Sequence, residues 1–160
     1  MSLSKTQVHP GVIRRHNEDV LSMSTEGDLL EFPRGPFSHW AVYVGDGRVI
    51  HRTGESPETA KIQEDSFWDV VGDSLAKINN YLDKKKAAMS GWEIVRRARS
   101  RLGDAGYNTL MKNCEHFATW CRYGEGFSEQ VLNFLTNMAY GAAAFAGTLI
   151  VVTFQTKRRN

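Results

Sequence analysis

The sequence predicts a mixed α and β chain, a small set of antiparallel strands followed by helices. Three observations point there. His39-Trp40-Ala41-Val42-Tyr43-Val44 and Arg48-Val49-Ile50-His51 flank Gly45-Asp46-Gly47, which is a hairpin pattern. Two helix-start signatures follow far downstream, Ser90 with Glu93 and Asn113 before Cys114. Beyond them the chain turns apolar. The 160 residues, 41% hydrophobic, suit one domain plus an appendage. A formal net charge of only +2 argues against nucleic acid as the partner. A basic stretch (Arg96, Arg97, Arg99, Arg101) has no interleaved aromatics and reads as the wet face of a helix.

Residues 1–26 are polar, with Pro10 and Gly11 and no clear period, and read as a flexible arm on which His9 and His16 are solvated. After Gly27-Asp28, Leu29-Leu30-Glu31-Phe32 reads as a short strand ended by Pro33 and Pro36. The hairpin's register depends on its turn. A two-residue turn at Asp46-Gly47 would put His39 and His51 on opposite faces. A three-residue turn with Gly47 left-handed pairs Ala41 with His51. His39 and His51 then share a face as diagonal neighbours, roughly 7–8 Å apart at the backbone. Trp40, Val42, Val44 and Ile50 take the other face, which keeps the apolar residues together. Residues 52–57 read as a polar loop, Thr59 to Gln63 and Leu75 to Tyr81 as strands, and Ser66 to Val71 as one helical turn.

Ser90 and Glu93 form a capping box, and Ile94, Val95, Ala98 and Leu102 give the helix it opens an apolar face that Gly103 closes. Asn113 caps a second helix running from Cys114 to about Tyr123, with Gly124 as its end. Cys114, Phe117, Ala118 and Cys121 recur at helical spacing along it. The two cysteines are seven residues apart. That is roughly 10 Å along a helix, whereas a disulfide needs Cα atoms within about 7 Å. Two free thiols suit a reducing compartment, and the N-terminus carries no apolar run of a signal peptide.

Met138 to Phe154 holds seventeen uncharged residues, followed by Lys157-Arg158-Arg159. A helix of that length spans roughly 26 Å, close to a bilayer core of about 30 Å. It reads as one C-terminal membrane segment, with a buried Ala-rich core helix as the bland alternative. Ala139, Ala143 and Gly147 form a small-residue row that permits helix pairing.

A cysteine in the first turn of a helix sits near the positive end of the helix dipole, and a neighbouring imidazole further favours thiolate over thiol. A base near the thiol, oriented by a third polar group, completes the arrangement for nucleophilic catalysis. The candidates occur in the order His39, His51, Cys114. Each has a bland reading: Cys114 and Cys121 as small core residues, His51 as a strand end, His116 as structural or exposed. A zinc site from Cys114, His116, Cys121 and a further histidine matches no common finger spacing.

His39-Trp40-Ala41-Val42-Tyr43-Val44-Gly45-Asp46-Gly47-Arg48-Val49-Ile50-His51, Asn113-Cys114-Glu115-His116-Phe117 and Arg122-Tyr123-Gly124 together resemble the phospholipase A and acyltransferase family of the lecithin:retinol acyltransferase-like (H-box/NC) superfamily. Gly27-Asp28-Leu29, Arg97-Ala98, Glu125-Gly126, Ser128-Glu129-Gln130 and the hydrophobic tail match as well, so the resemblance covers about residues 27 to 154. It implies a compact α+β fold, like a circularly permuted papain-type (NlpC-type) thiol hydrolase, with a small antiparallel sheet packed with helices. It implies Cys114 as nucleophile, His39 as general base and His51 as the third, orienting residue. The activity implied is that of a phospholipase A1/A2 and O-/N-acyltransferase. The ester of a glycerophospholipid is attacked to give an acyl-cysteine thioester, which passes its acyl chain to water, an amine or a lysophospholipid. No metal or cofactor is implied. The arm is longer than the family's, and the stretch from His51 to Cys114 is shorter than in its vertebrate members, which leaves acceptor choice open.

The expected organisation is an arm (1–26), a catalytic domain (27–130), a C-terminal membrane segment (131–154) and a basic tail (155–160), held at the cytosolic face of an intracellular membrane. Two other readings stay open: a thiol peptidase or amidase on the same fold, and a non-catalytic membrane-anchored interaction domain.

Overall fold

The structure is a computed structural model in which residues 8–54, 56, 58–105 and 113–124 are described. The C-terminal segment expected to meet the membrane, and its basic tail, lie outside the described residues. No helix among the described residues is long and apolar enough to cross a membrane.

The elements are α1 (Pro10–Met23), β1 (Leu29–Arg34), β2 (Phe37–Tyr43), β3 (Arg48–Thr53), β4 (Lys61–Ser66), α2 (Phe67–Val71), β5 (Lys77–Ile78), α3 (Gly91–Arg99) and α4 (Cys114–Tyr123). The strands form one open antiparallel sheet in the order β4-β3-β2-β1-β5, so the protein is α+β. Ala41 pairs with His51 across β2 and β3, the register of the three-residue turn, and Gly47 is left-handed with φ +67°. Arg48 N–H closes the turn on the Gly45 carbonyl at 2.9 Å.

That register sorts the two faces of the sheet. Leu29, Trp40, Val42, Val44 and Ile50 pack with Ile94, Val95 and Ala98 of α3 and Phe117, Ala118 and Cys121 of α4. Leu30, Phe32, Ala41, Tyr43 and Val49 pack instead with Val20 of α1 and Phe67, Val70 and Val71 of α2. The expected capping box of α3 is present, with Ser90 Oγ accepting from Glu93 N–H and the Glu93 carboxylate from Ser90 N–H. The caps of α4 are present too: Asn113 Oδ1 accepts from His116 N–H at 2.8 Å, and Gly124 is left-handed with φ +81°.

Several expectations need correction. Residues 10–23, read as part of a flexible arm, form a helix. Pro10 occupies its first turn, where a missing N–H is harmless, and His9 Nδ1 caps it by accepting from Gly11 N–H. Its inward residues Ile13, His16, Asn17 and Val20 recur at helical spacing, but two of the four are polar, which hides the period. Asn17 is 1% exposed. It donates to Ser74 O at 2.9 Å and accepts from Ala76 N–H at 3.0 Å. His16, expected in solvent, meets Ala76 O at 2.8 Å. β1 runs through Pro33 to Arg34 instead of stopping before it. Leu29 bonds toward β5, so by alternation the nitrogen of Pro33 faces that side too, beyond the point where the two-residue β5 has ended. β3 continues to Thr53 and β4 lies at 61–66, later than its expected 59–63.

Candidate active site

The site begins where β2 and β3 part. They pair only from Ala41↔His51 to Tyr43↔Val49, whereas β3 stays on β4 as far as Thr53↔Lys61. Backbone groups alternate sides along a strand. Tyr43 bonds to the Gly27-Asp28 segment leading into β1, so the groups of Trp40 and Ser38 face β3. With the pairing ended there, Cys114 takes the place of a strand neighbour. Its thiol makes a long contact with Ser38 O at 3.8 Å, and the Trp40 N–H bonds back to the sulfur. The two backbone groups that hold the thiol therefore flank His39. Ser38 is itself held by its hydroxyl, which donates to Glu31 Oε1 at 2.6 Å.

On the α1/α2 face of the sheet, His39 and His51 are joined. His39 Nε2 lies 2.8 Å from His51 Nδ1, and the rings meet edge to face with centroids 5.0 Å apart. His51 Nε2 lies 2.9 Å from Asp65 Oδ2. Gln63 Nε2 donates to both oxygens of that carboxylate, at 2.8 and 2.7 Å. A polar chain thus crosses three strands. A carboxylate only accepts, so His51 Nε2 carries a proton and donates to Asp65. In the neutral ring His51 Nδ1 is then an acceptor, His39 Nε2–H donates to it, and Nδ1 becomes the basic nitrogen of His39.

Charge states follow from burial. Burial, with repulsion from His51 and Arg34, pushes His39 down from 6.5 to about 3. Burial also lowers His51, and the hydrogen bond and charge of Asp65 offset this only in part. The His51–Asp65 contact is accordingly a hydrogen bond from a neutral ring to a carboxylate. Burial would raise Asp65, but the bonds from His51 and Gln63 outweigh it and hold it below its ordinary range. For Cys114 the preference for thiolate that a helix start brings is outweighed. Burial pushes the thiol up, and the N–H groups of Trp40, Glu115 and Cys114 itself only partly counter that. At rest Cys114 is a neutral thiol and His39 a neutral imidazole.

The sequence reading did not single out Asp65, Gln63, Ser38 or Arg34. Strand parity was the signal available, since Gln63 pairs with His51 and Asp65 lies two residues on, on the same face. Cys121 is fully buried in the core, and burial drives its thiol far above its ordinary range. Glu115, also fully buried, accepts from Tyr81 Oη at 3.0 Å. Among the described residues no group of three or more His, Cys, Asp or Glu could hold a metal ion.

Fold and site together give an α+β protein in which a His39–His51–Asp65 hydrogen-bonded chain starts on the residue between the two backbone groups that hold a helix-start thiol. The sequence matches the profile described as lecithin retinol acyltransferase over residues 22–127, and the chain belongs to that family. It is 36% identical over 132 residues to human phospholipase A and acyltransferase 1, covering 74% of this chain and 79% of the relative. It is 32% identical over 149 residues to phospholipase A and acyltransferase 3 of Pongo abelii, covering 83% and 92%. To the lecithin retinol acyltransferase of Bos taurus it is 33% identical over 145 residues, covering 74% and 63%.

Proposed function

We propose that this chain is a thiol-dependent phospholipid acyl hydrolase and acyltransferase, with Cys114 as nucleophile, His39 as general base and His51 as the residue that orients it. The observation that carries this is the hydrogen-bonded chain Asp65–His51–His39 leading to the strand segment that holds the Cys114 thiol. The names of the relatives support the substrate class.

In this scheme His39 Nδ1 takes the thiol proton as Sγ attacks the ester carbonyl of a glycerophospholipid. The new imidazolium keeps its Nε2–H on His51, and the Asp65 carboxylate beyond stabilises its charge. The carbonyl oxygen gains negative charge at the N-terminal end of α4, where the N–H groups of Cys114 and Glu115 already face the attacking sulfur and the helix dipole favours an anion. The C–O bond breaks, the lysophospholipid leaves with the proton from His39, and the acyl chain stays on Sγ as a thioester. Water, an amine or a lysophospholipid then attacks, giving its proton to His39, and the thiol is restored. Because the resting pair is neutral, the nucleophile is made only as substrate arrives, which limits oxidation of the thiol.

The placement of a strand histidine beside a helix-start cysteine supports the permuted papain-like relationship. The apolar sequence of 138–154 supports a tether that keeps the domain at a membrane surface, where the acyl donor resides, with the domain on the cytosolic side. The test is release of fatty acid from phosphatidylcholine in mixed micelles. Cys114→Ala should abolish it and His39→Ala should reduce it at least a thousandfold. Equal rates in Cys114→Ala and wild type would end the proposal, and release from a peptide but not a phospholipid would move it to the peptidase reading.

A further inference from the structure

We propose that Arg34 is the residue that reads the phosphodiester of the lipid substrate. Arg34 ends β1 opposite Phe37, across the turn made by Gly35 and Pro36. Side chains two apart on a strand share a face. Arg34 therefore follows Leu30 and Phe32 along the row that carries His39 and His51, and its charge acts on both imidazoles. It stands one residue pair beyond Ser38, whose carbonyl meets the thiol.

Three features suit it to an anion. It is exposed, and no acidic side chain among the described residues pairs with it. One of its nitrogens, Nη2, donates to Val70 O at 2.6 Å, which anchors the guanidinium and leaves its other donors for a ligand. Arginine's planar fork matches phosphate oxygens in a bidentate way. Phe37, 56% exposed on the same turn, offers an apolar surface beside that charge. A phosphodiester next to an apolar glyceride backbone presents the complementary pattern.

The alternative for an arginine so placed is purely structural, a clamp joining β1 to α2 through Val70. The assignment rests on the acyl-transfer reading above, so its test uses paired donors with the same acyl ester. Full-length wild type, Arg34→Gln and Arg34→Lys are compared on phosphatidylcholine and on diacylglycerol of the same chains, which lacks the phosphate. Arg34→Gln should lower kcat/KM on phosphatidylcholine about 10- to 100-fold, the range of a charge-assisted hydrogen bond. Most of the loss should be in KM, and Arg34→Lys should recover part of it. Diacylglycerol turnover should stay within about threefold. Equal losses on both lipids, or on neither, would overturn the assignment.

Binding is measured separately in the Cys114→Ala background, with lysophosphatidylcholine below its micelle concentration and monoacylglycerol as the phosphate-free control. Adding Arg34→Gln should weaken only the former, about tenfold or more. Phosphate-selective binding that depends on Arg34, together with no turnover of either lipid by the wild type, would sink the acyl-transfer reading and leave this one standing. Turnover without dependence on Arg34 would do the reverse.

Discussion

Asp65→Asn is the perturbation that probes the hydrogen-bonded chain from its far end. The carboxylate accepts from His51 Nε2 at 2.9 Å and from Gln63 Nε2 at 2.8 and 2.7 Å. An asparagine has only one oxygen to offer these two donors. If that oxygen turns to Gln63, its NH₂ faces His51 Nε2 and the ring changes tautomer. His51 Nδ1 then donates to His39 Nε2, the proton of His39 moves to Nδ1, and the base is lost. Even without the flip, the negative charge that stabilises the His39 imidazolium is gone. Removing an aspartate that sits directly on a catalytic histidine slows serine hydrolases about ten-thousandfold. Here a second imidazole intervenes and the side chain of Asp65 is 28% exposed, so water screens part of its effect. A loss of about 100-fold in kcat is expected, with KM little changed. Phosphatidylcholine hydrolysis across pH 6 to 9 is the assay, with thermal unfolding to show that the variant folds. Full activity in a folded Asp65→Asn protein would refute the relay.

The remaining predictions concern stability and its pH dependence. His39 titrates near 3 in the fold and near 6.5 when unfolded, so between those values the unfolded chain binds more protons. The penalty is absent above pH 6.5 and grows as pH falls, by about 1 kcal/mol per unit. Urea unfolding between pH 4.5 and 6.5 should show this slope, flatter in His39→Gln; equal slopes would contradict it. Asn17→Ala strands the Ala76 N–H and Ser74 O and should destabilise by about 2 to 3 kcal/mol in the same assay, and a change under about 0.5 would show that α1 is not pinned by this residue.

The sequence carried the hairpin register, the caps of α3 and α4, the shared face of His39 and His51 and the helix start at Cys114, because each has a local signature. Only one turn length keeps Trp40, Val42, Val44 and Ile50 on one face, and that choice alone brings the two imidazoles together. Helix α1 was hidden because its buried stripe is polar: Asn17 and His16 are fastened by hydrogen bonds to the 74–76 segment, which no periodicity in apolar residues reveals. Asp65 was missed because β4 had to be placed against β3 before parity could put it beside His51. The neutral state of the thiol was not legible either. A helix start and a nearby histidine favour the thiolate locally, but the burial that reverses this comes from the packing of α4 onto β2, a tertiary effect.

The measurement that bears most directly on acyl transfer is intact-protein mass spectrometry after brief exposure of the full chain to detergent-dispersed phosphatidylcholine. An added acyl mass that maps to Cys114, disappears with hydroxylamine and is absent in His39→Ala is the predicted result. Fatty acid released at the wild-type rate with no adduct at Cys114, in wild type and Cys114→Ala alike, would contradict it.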